Sequence, residues 1–309
     1  MYRSLVIGAG GLLGQSITNE LLINQPVGEV ICPVVTWRER SVAESQLKVA
    51  VENWLASDND SPKELYWCAG IGTPRGDPRY LVDEWDFLQH VLRTIESNKE
   101  LNQLSSLKIF FASSAGQVYG NTGLAIATES TEPRPSDEYG HSKLRLETLL
   151  SSFAGRANCS LMIGRLSSLY GSQQNMKKRQ GLVSHIAYAL AHSLPVEIFT
   201  SLSTTRNYLD AVSAARVAIF QTRLAPHAGA RLRNICAPFN TSVAELIALS
   251  RQIAGRRLMV KYVGGEVPDN SRIATEFPEE VGALIRTTLA EGVAGLVATA
   301  RQSMATKGV

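Results

Sequence analysis

Cysteine is scarce in this chain and never stands in a ligand-like spacing. Four cysteines (Cys32, Cys68, Cys159 and Cys236) are spread over 309 residues without a Cys-x-x-Cys pair. That argues against a disulfide scaffold or a cysteine metal site and points to a reducing compartment. Cys32, Cys68 and Cys159 lie in or beside apolar runs, where thiols serve as small hydrophobes. A charge surplus is missing too: 31 basic and 28 acidic side chains leave +3, too little to argue for nucleic acid. No apolar run reaches the ~20 residues of a membrane-spanning helix. The first residues lead straight into an apolar strand, without the pattern of a secretion signal. Repeats and low-complexity segments are absent. What remains, 44% hydrophobic and 19% charged, is the composition of an ordinary soluble globular protein. Its length suits one large domain, or a main domain with a smaller lobe. The expectation is a cytoplasmic protein that uses no metal, membrane or nucleic acid.

Glycine, by contrast, is concentrated near the start. Ser4 to Ile7 is a short apolar run, Gly8-Ala9-Gly10-Gly11-Leu12-Leu13-Gly14 follows, and an apolar-periodic stretch continues from Leu12 to Ile23. This reads as strand, tight turn and helix. Gly8 permits the turn, and Gly11 lets a pyrophosphate approach the helix N-terminus, where free N–H groups and the dipole favour anions. Gly14 lets the helix pack closely on the strand. A glycine motif alone is weak; its place between a strand and a helix gives it the reading of a dinucleotide site. Glu29 to Val35 reads as the second strand. An acidic residue at its end would bind the ribose hydroxyls of NAD, whereas Arg accommodates the 2′-phosphate of NADP. The segment Thr36-Trp37-Arg38-Glu39-Arg40 favours NADP through Arg38, because guanidinium forks match phosphate; Glu39 on the ribose of NAD is the alternative.

Ser41 to Ala56 reads as an amphipathic helix, and no clear third strand follows it. Leu65-Tyr66-Trp67-Cys68-Ala69-Gly70 is an apolar run ending in small residues, which leave room for a cofactor at a strand's carboxyl end. A long helix is expected over Arg79 to Leu104 and a buried parallel strand over Leu107 to Ala112. That strand runs into Ser113-Ser114-Ala115-Gly116-Gln117-Val118-Tyr119-Gly120, whose hydroxyls would face either a ligand crevice or the local backbone. Asn121 to Pro135 reads as a loop. Further on, strands are expected at Leu161–Leu166, Val196–Thr200, Arg231–Ile235 and Leu258–Val263, and helices at Leu182–Ala191, Ser242–Ala254 and Pro278–Gln302. The polar, basic stretch from Ser172 to Gly181 reads as a mobile loop.

Ser136-Asp137-Glu138-Tyr139-Gly140-His141-Ser142-Lys143 carries the chemistry. Ser136 or Asp137 can cap a helix, and Tyr139 and Lys143 would then project from one face, a turn apart. Tyrosine titrates near about 10. A neighbouring ammonium favours the phenolate and is expected to lower that value, so that the phenol can exchange a proton with a sugar hydroxyl or ketone.

Laid out together, these residues resemble the extended short-chain dehydrogenase/reductase family, the NAD(P)-dependent sugar epimerases and dehydratases. The resemblance rests on Gly8-x-x-Gly11-x-x-Gly14, Ala69-Gly70, the Ser113–Gly120 segment, Tyr139-Gly140-His141-Ser142-Lys143-Leu144, Arg165-x-x-x-x-Tyr170-Gly171 and Arg206-Asn207-Tyr208-Leu209-Asp210, in the family's order. It implies an α/β fold: a Rossmann-type doubly wound parallel sheet over residues 1–170, with return segments near 200–235, and a small C-terminal α/β substrate lobe over most of 171–309. It implies Tyr139 as acid/base, Lys143 as the group that tunes it and holds the nicotinamide ribose, and Gly8, Gly11, Leu12, Leu13, Gly14, Arg38, Ala69 and Gly70 as further cofactor contacts. Arg206 would bind the diphosphate of a nucleotide sugar, and the helical stretch from Gly181 would contact the same substrate. A homodimer is a further expectation.

Three departures bear on activity. Ala115 stands where the family usually has Ser or Thr, which makes Ser114 the stand-in catalytic and substrate-binding hydroxyl. The Thr-Asp-Glu triplet of 4,6-dehydratases would fall on Ala115-Gly116-Gln117 and is missing. Leu166 follows Arg165 where proline is frequent. The expected activity is a 4-epimerase of nucleotide sugars, with an NADPH-dependent keto-sugar-nucleotide reductase or a dinucleotide-binding protein without catalysis as alternatives.

Overall fold

A computed structural model describes residues 2–24, 30–56, 61–70, 77, 79–98, 104–174, 181–225, 228–255, 257–264 and 269–305. These pack as two compact units. The first comprises residues 1–120, 133–165 and 215–233, and the second 121–132, 166–214 and 234–309.

The first unit opens with strand β1 (Arg3–Ile7), helix α1 (Leu12–Asn24), strand β2 (Val30–Ile31), helix α2 (Arg40–Ala56) and strand β3 (Lys63–Trp67). It continues with helix α3 (Arg79–Asn98), strand β4 (Lys108–Ser114), the short helix α4 (Ala115–Tyr119), helix α5 (Glu138–Ala157) and strand β5 (Ser160–Leu166). β3 is the third strand, following α2 directly. The sheet order is β2-β1-β3-β4-β5 with a sixth strand beyond β5, and β1 runs parallel to β2 and β3, and β3 to β4. This is the doubly wound α/β arrangement. All five residues of β3 are buried, as expected where helices cover both faces. The strand order reverses between β1 and β3, and ligands of such sheets bind at that reversal, beyond the carboxyl ends of the strands.

The core joins sheet residues such as Leu5, Ile7, Leu65, Trp67, Ile109 and Phe111 to apolar helix faces, among them Leu47, Val51, Leu88, Val91, Leu146 and Phe153. At the other end of the sheet Glu64, fully buried, accepts hydrogen bonds from Ser4, Tyr66 and, in a two-pronged pair, Arg223. Charge is tolerated there because every donor points at it.

The second unit begins with strand β6 (Ser168–Tyr170), helix α6 (Leu182–His192) and strands β7 (Val196–Ile198) and β8 (Thr205–Asp210). Helix α7 (Ala211–Leu224) and strand β9 (Gly229–Ile235) belong for the most part to the first unit, where β9 is the sixth strand of the main sheet. Strand β10 (Asn240–Ser242), helix α8 (Val243–Ala254), strand β11 (Val260–Tyr262), helix α9 (Pro278–Val281) and helix α10 (Leu289–Ala305) complete the chain. β10, β8 and β6 form one small sheet, and β11 pairs in parallel with β7. Ser242 and Glu245 close a reciprocal capping box that starts α8, which satisfies two otherwise orphaned backbone donors.

Several boundaries differ from the sequence expectation. β2 is shorter than Glu29–Val35, and Glu29 lies outside the described residues, as do Lys177–Arg179 of the expected mobile loop. The Pro278–Gln302 stretch is apolar enough, by length and composition, to cross a membrane (mean hydropathy 1.4 over its best window). It is nevertheless not one helix: it breaks between Val281 and Leu289. In α10, Val293, Leu296 and Val297 join α6 and α8 residues in the second unit's own core.

Candidate functional site

The glycine-rich turn follows from close packing. Gly8 sits at φ +90°, a region other residues rarely adopt, and a Cβ there would lie 2.5 Å from the Ala69 nitrogen. A Cβ at Gly14 would lie 2.2 Å from the Gly8 carbonyl oxygen, so α1 rests directly on the turn. Gly11 N–H donates to that same carbonyl at 3.0 Å. Gly10 and Gly11 are exposed, with open space beside Gly10. Leu12 and Leu13 start α1, Leu13 buried and Leu12 half-buried. The result is a bare helix N-terminus, the geometry that suits a pyrophosphate.

Ala69 and Gly70 follow the end of β3 beside this turn. Gly70 matters for what it omits: a Cβ there would stand 3.4 Å from Glu84 Oε2 and 3.5 Å from Lys143 Nζ. Thus the Gly8–Ala69 contact and the Gly70–Lys143 approach join the glycine turn to the Tyr139/Lys143 helix within one unit.

That helix, α5, is set at its start by Asp137, whose side chain accepts from Gly140 N–H at 2.8 Å. A Cβ at Gly140 would meet the Gln117 carbonyl at 2.4 Å, so glycine lets α5 dock against α4. Tyr139 is half-buried. Lys143 is buried, and its Nζ lies 5.5 Å from the Tyr139 ring centroid and 5.2 Å from that of Phe111. Its direct partner is Glu84 of α3: Lys143 Nζ donates to Glu84 Oε1 at 2.7 Å, with both side chains 3% exposed.

Burial pulls the Lys143 ammonium down, but Glu84, helped by Tyr139 and Cys68, more than offsets it, and Lys143 ends above its ordinary value. Tyr139 corrects the sequence expectation. Burial pushes its phenol up, Lys143 pulls it down, and Glu84 and Asp137 push it up again; the net shift is upward. The ammonium acts in the expected direction, but its field is partly cancelled by a carboxylate that the sequence reading did not include.

The two serines separate in role. Ser113 is buried, and its hydroxyl donates to Glu147 Oε1 at 2.5 Å. Glu147, one turn beyond Lys143, also takes Arg165 in a two-pronged pair at 3.0 and 2.7 Å. The Arg165 guanidinium lies over the Tyr119 ring, 4.9 Å from its centroid. Ser113 is therefore committed to the interior. Ser114, half-buried at the head of α4, makes no side-chain capping bond, and its hydroxyl is the one available to a ligand. Ala115 is fully buried.

After β2, Arg38 is exposed and makes no ion pair among the described residues, whereas Arg40 is engaged by Glu44 and Asp86. Of the predicted substrate contacts, Gly181 caps the N-terminus of α6 at φ +80°, and Arg206 on β8 donates to Asp269 at 2.9 Å. Both belong to the second unit. Glu84 and Glu147 escaped the sequence reading. Glu84 had a detectable signal: it interrupts the apolar face Leu81, Leu88, Val91 and Ile95 of α3, and a carboxylate on such a face needs a buried cation.

These features define a dinucleotide-fold protein with a tyrosine and a buried lysine one turn apart beside the glycine-rich turn. Residues 4–262 match the NAD dependent epimerase/dehydratase family, and the chain belongs to that family. It is 24% identical over 217 residues to the dTDP-4-dehydro-6-deoxyglucose reductase of Escherichia coli, covering 66% of this chain and 67% of that one. It is 28% identical over 263 residues to a Methanocaldococcus jannaschii protein provisionally named a UDP-glucose 4-epimerase, covering 82% and 83%. Among solved structures, the UDP-glucose 4-epimerase of Thermotoga maritima with UDP-glucose superposes with a TM-score of 0.79 at 18% identity, over 98% of this chain and 100% of that one.

Proposed function

We propose that the chain is a nicotinamide-dinucleotide-dependent enzyme of nucleotide sugars, acting as a 4-epimerase. The observation that carries this reading is the approach of Lys143 to Gly70, beside the Gly8–Gly14 turn, with Tyr139 on the same helix face. The residues present suit a dinucleotide: a side chain on Gly8 or Gly14 would collide with the backbone, and Gly10 and Gly11 leave the start of α1 bare. Once bound, the nicotinamide would accept a hydride from the sugar and return it. The backbone around Gly11 would hold the pyrophosphate. In its deprotonated form Tyr139 would take the sugar hydroxyl proton at its phenolate oxygen and give it back, Lys143 would favour that form by keeping positive charge beside the oxygen, and Ser114 would hydrogen-bond the reacting oxygen. Arg206 would exchange Asp269 for the substrate diphosphate, and the chain around Gly181 would line the sugar nucleotide.

The Escherichia coli relative and Arg38, exposed, without an ion pair among the described residues and suited to the 2′-phosphate of NADPH, favour a second reading: one-way reduction of a keto-sugar nucleotide. One experiment separates the two. Purified enzyme is incubated with UDP-glucose, and then with a 4-keto-sugar nucleotide plus NADPH. Interconversion of UDP-glucose and UDP-galactose without net cofactor loss supports the epimerase; stoichiometric NADPH consumption supports the reductase. Tyr139→Phe should lose at least about 100-fold in turnover, the range for a lost general acid–base group. A Tyr139→Phe variant as fast as wild type would overturn the site.

A further inference from the structure

The Lys143–Glu84 pair has a loose end. Glu84 Oε1 is bonded to Lys143, but Oε2 is buried and has no hydrogen-bond partner among the described residues. A buried carboxylate oxygen left unpaired is costly, and a native site that keeps one is holding an acceptor for something. Oε2 lies 3.4 Å from where a Gly70 side chain would begin, and Gly70 is exposed. Glu84 also lines a small cleft with Trp37, Tyr80, Asp83 and Gly70, beyond the carboxyl end of β3. The cleft is flanked by aromatic rings, and its acceptor suits a hydroxyl donor better than an anion.

We propose that Glu84 is a positioning residue of the cofactor site: it holds Lys143 from behind with Oε1 and offers Oε2 to a hydroxyl of the ribose that Lys143 faces. The inference rests on the dinucleotide reading above. It adds a carboxylate to the machinery, tying α3 to α5 across the crevice. The same placement puts a negative charge beside the tyrosine and lysine that share a proton load. The charged and titratable groups facing that pair are Glu84 from α3, Cys68 beyond β3, and Asp137 at the start of α5. Removing one negative charge from that surround lowers the pH at which the pair gives up its first proton, whichever member loses it.

The test compares wild type with Glu84→Gln, measuring binding of NADH and of ADP, which carries no nicotinamide ribose, by calorimetry. Glu84→Gln should weaken NADH about tenfold or more, the loss of a hydrogen bond to a charged acceptor, and leave ADP within about twofold. Its tyrosine titration, read at 295 nm against Tyr139→Phe, should begin at lower pH than in wild type. Unchanged NADH affinity, an equal loss for ADP, or an unmoved titration overturns the role. Should Glu84→Gln fail to fold, difference infrared spectroscopy of ¹³C-glutamate-labelled wild type decides: NADH, but not ADP, should shift a buried carboxylate stretch, and no shift overturns the role. Wild type that binds neither NADH nor ADP removes the dinucleotide reading itself, a result distinct from an indifferent Glu84→Gln.

Discussion

Tyr139 carries a proton that burial makes hard to remove. Its folded-state value is raised, so the neutral phenol is the form the fold prefers. That contribution to stability is fully present below the unfolded value near about 10 and is lost as pH rises through the higher folded value. The stability difference between wild type and Tyr139→Phe, from urea denaturation at stepped pH, should therefore shift against wild type above pH ~10. Ser113 and Ser114 give a second contrast. Ser113→Ala unties a hydroxyl from the buried Glu147–Arg165 pair and should cost about 1–2 kcal/mol of stability. Ser114→Ala should leave stability within ~0.5 kcal/mol and slow turnover instead. Sequence spacing made Tyr139 and Lys143 legible because helical periodicity links neighbours in the chain. Glu84 was not legible as their partner, because the pairing spans two helices with a strand between.

Elements were legible where local chemistry is decisive. The turn after β1, the Asp137 cap and the buried strand into Ser114 follow from glycine geometry, capping and apolar runs. β2 was overextended because apolar residues beyond Ile31 read the same in a loop. The 278–302 region was read as one helix because composition alone does not register the break at 282–288. The glycine turn supplies the prediction at this scale. Gly14→Ala would drive a methyl to 2.2 Å from the Gly8 carbonyl, and relieving that clash should cost about 1–3 kcal/mol together with most dinucleotide affinity. Gly10→Ala meets nothing within 4 Å and should fold like wild type. Thermal melts of both variants, with and without NADH, check the pair.

For the whole molecule, the family's order of motifs was legible. The chain's crossings between units were less so: residues 121–132, read only as a loop, belong to the second unit. Such crossings depend on contacts between segments far apart in the chain, which no local pattern encodes. The second unit has its own tight point, where Gly292 of α10 meets Tyr170; a Cβ at Gly292 would stand 2.3 Å from the Tyr170 oxygen. Gly292→Ala should destabilise the protein by about 1–3 kcal/mol through overpacking, measured by the urea midpoint. Gly295→Ala, in open space one turn on, should not.

Three successive turns of α5 bear Tyr139, Lys143 and Glu147: the first is half-buried beside the lysine, the second is gripped from α3, the third is moored to Ser113 and Arg165. Because one rigid rod carries all three, a slip of a single residue would swing every one of them by about 100°. Phenol, cation and mooring are thus lost or kept together, and fraying of that rod should silence the enzyme while most of the sheet still stands.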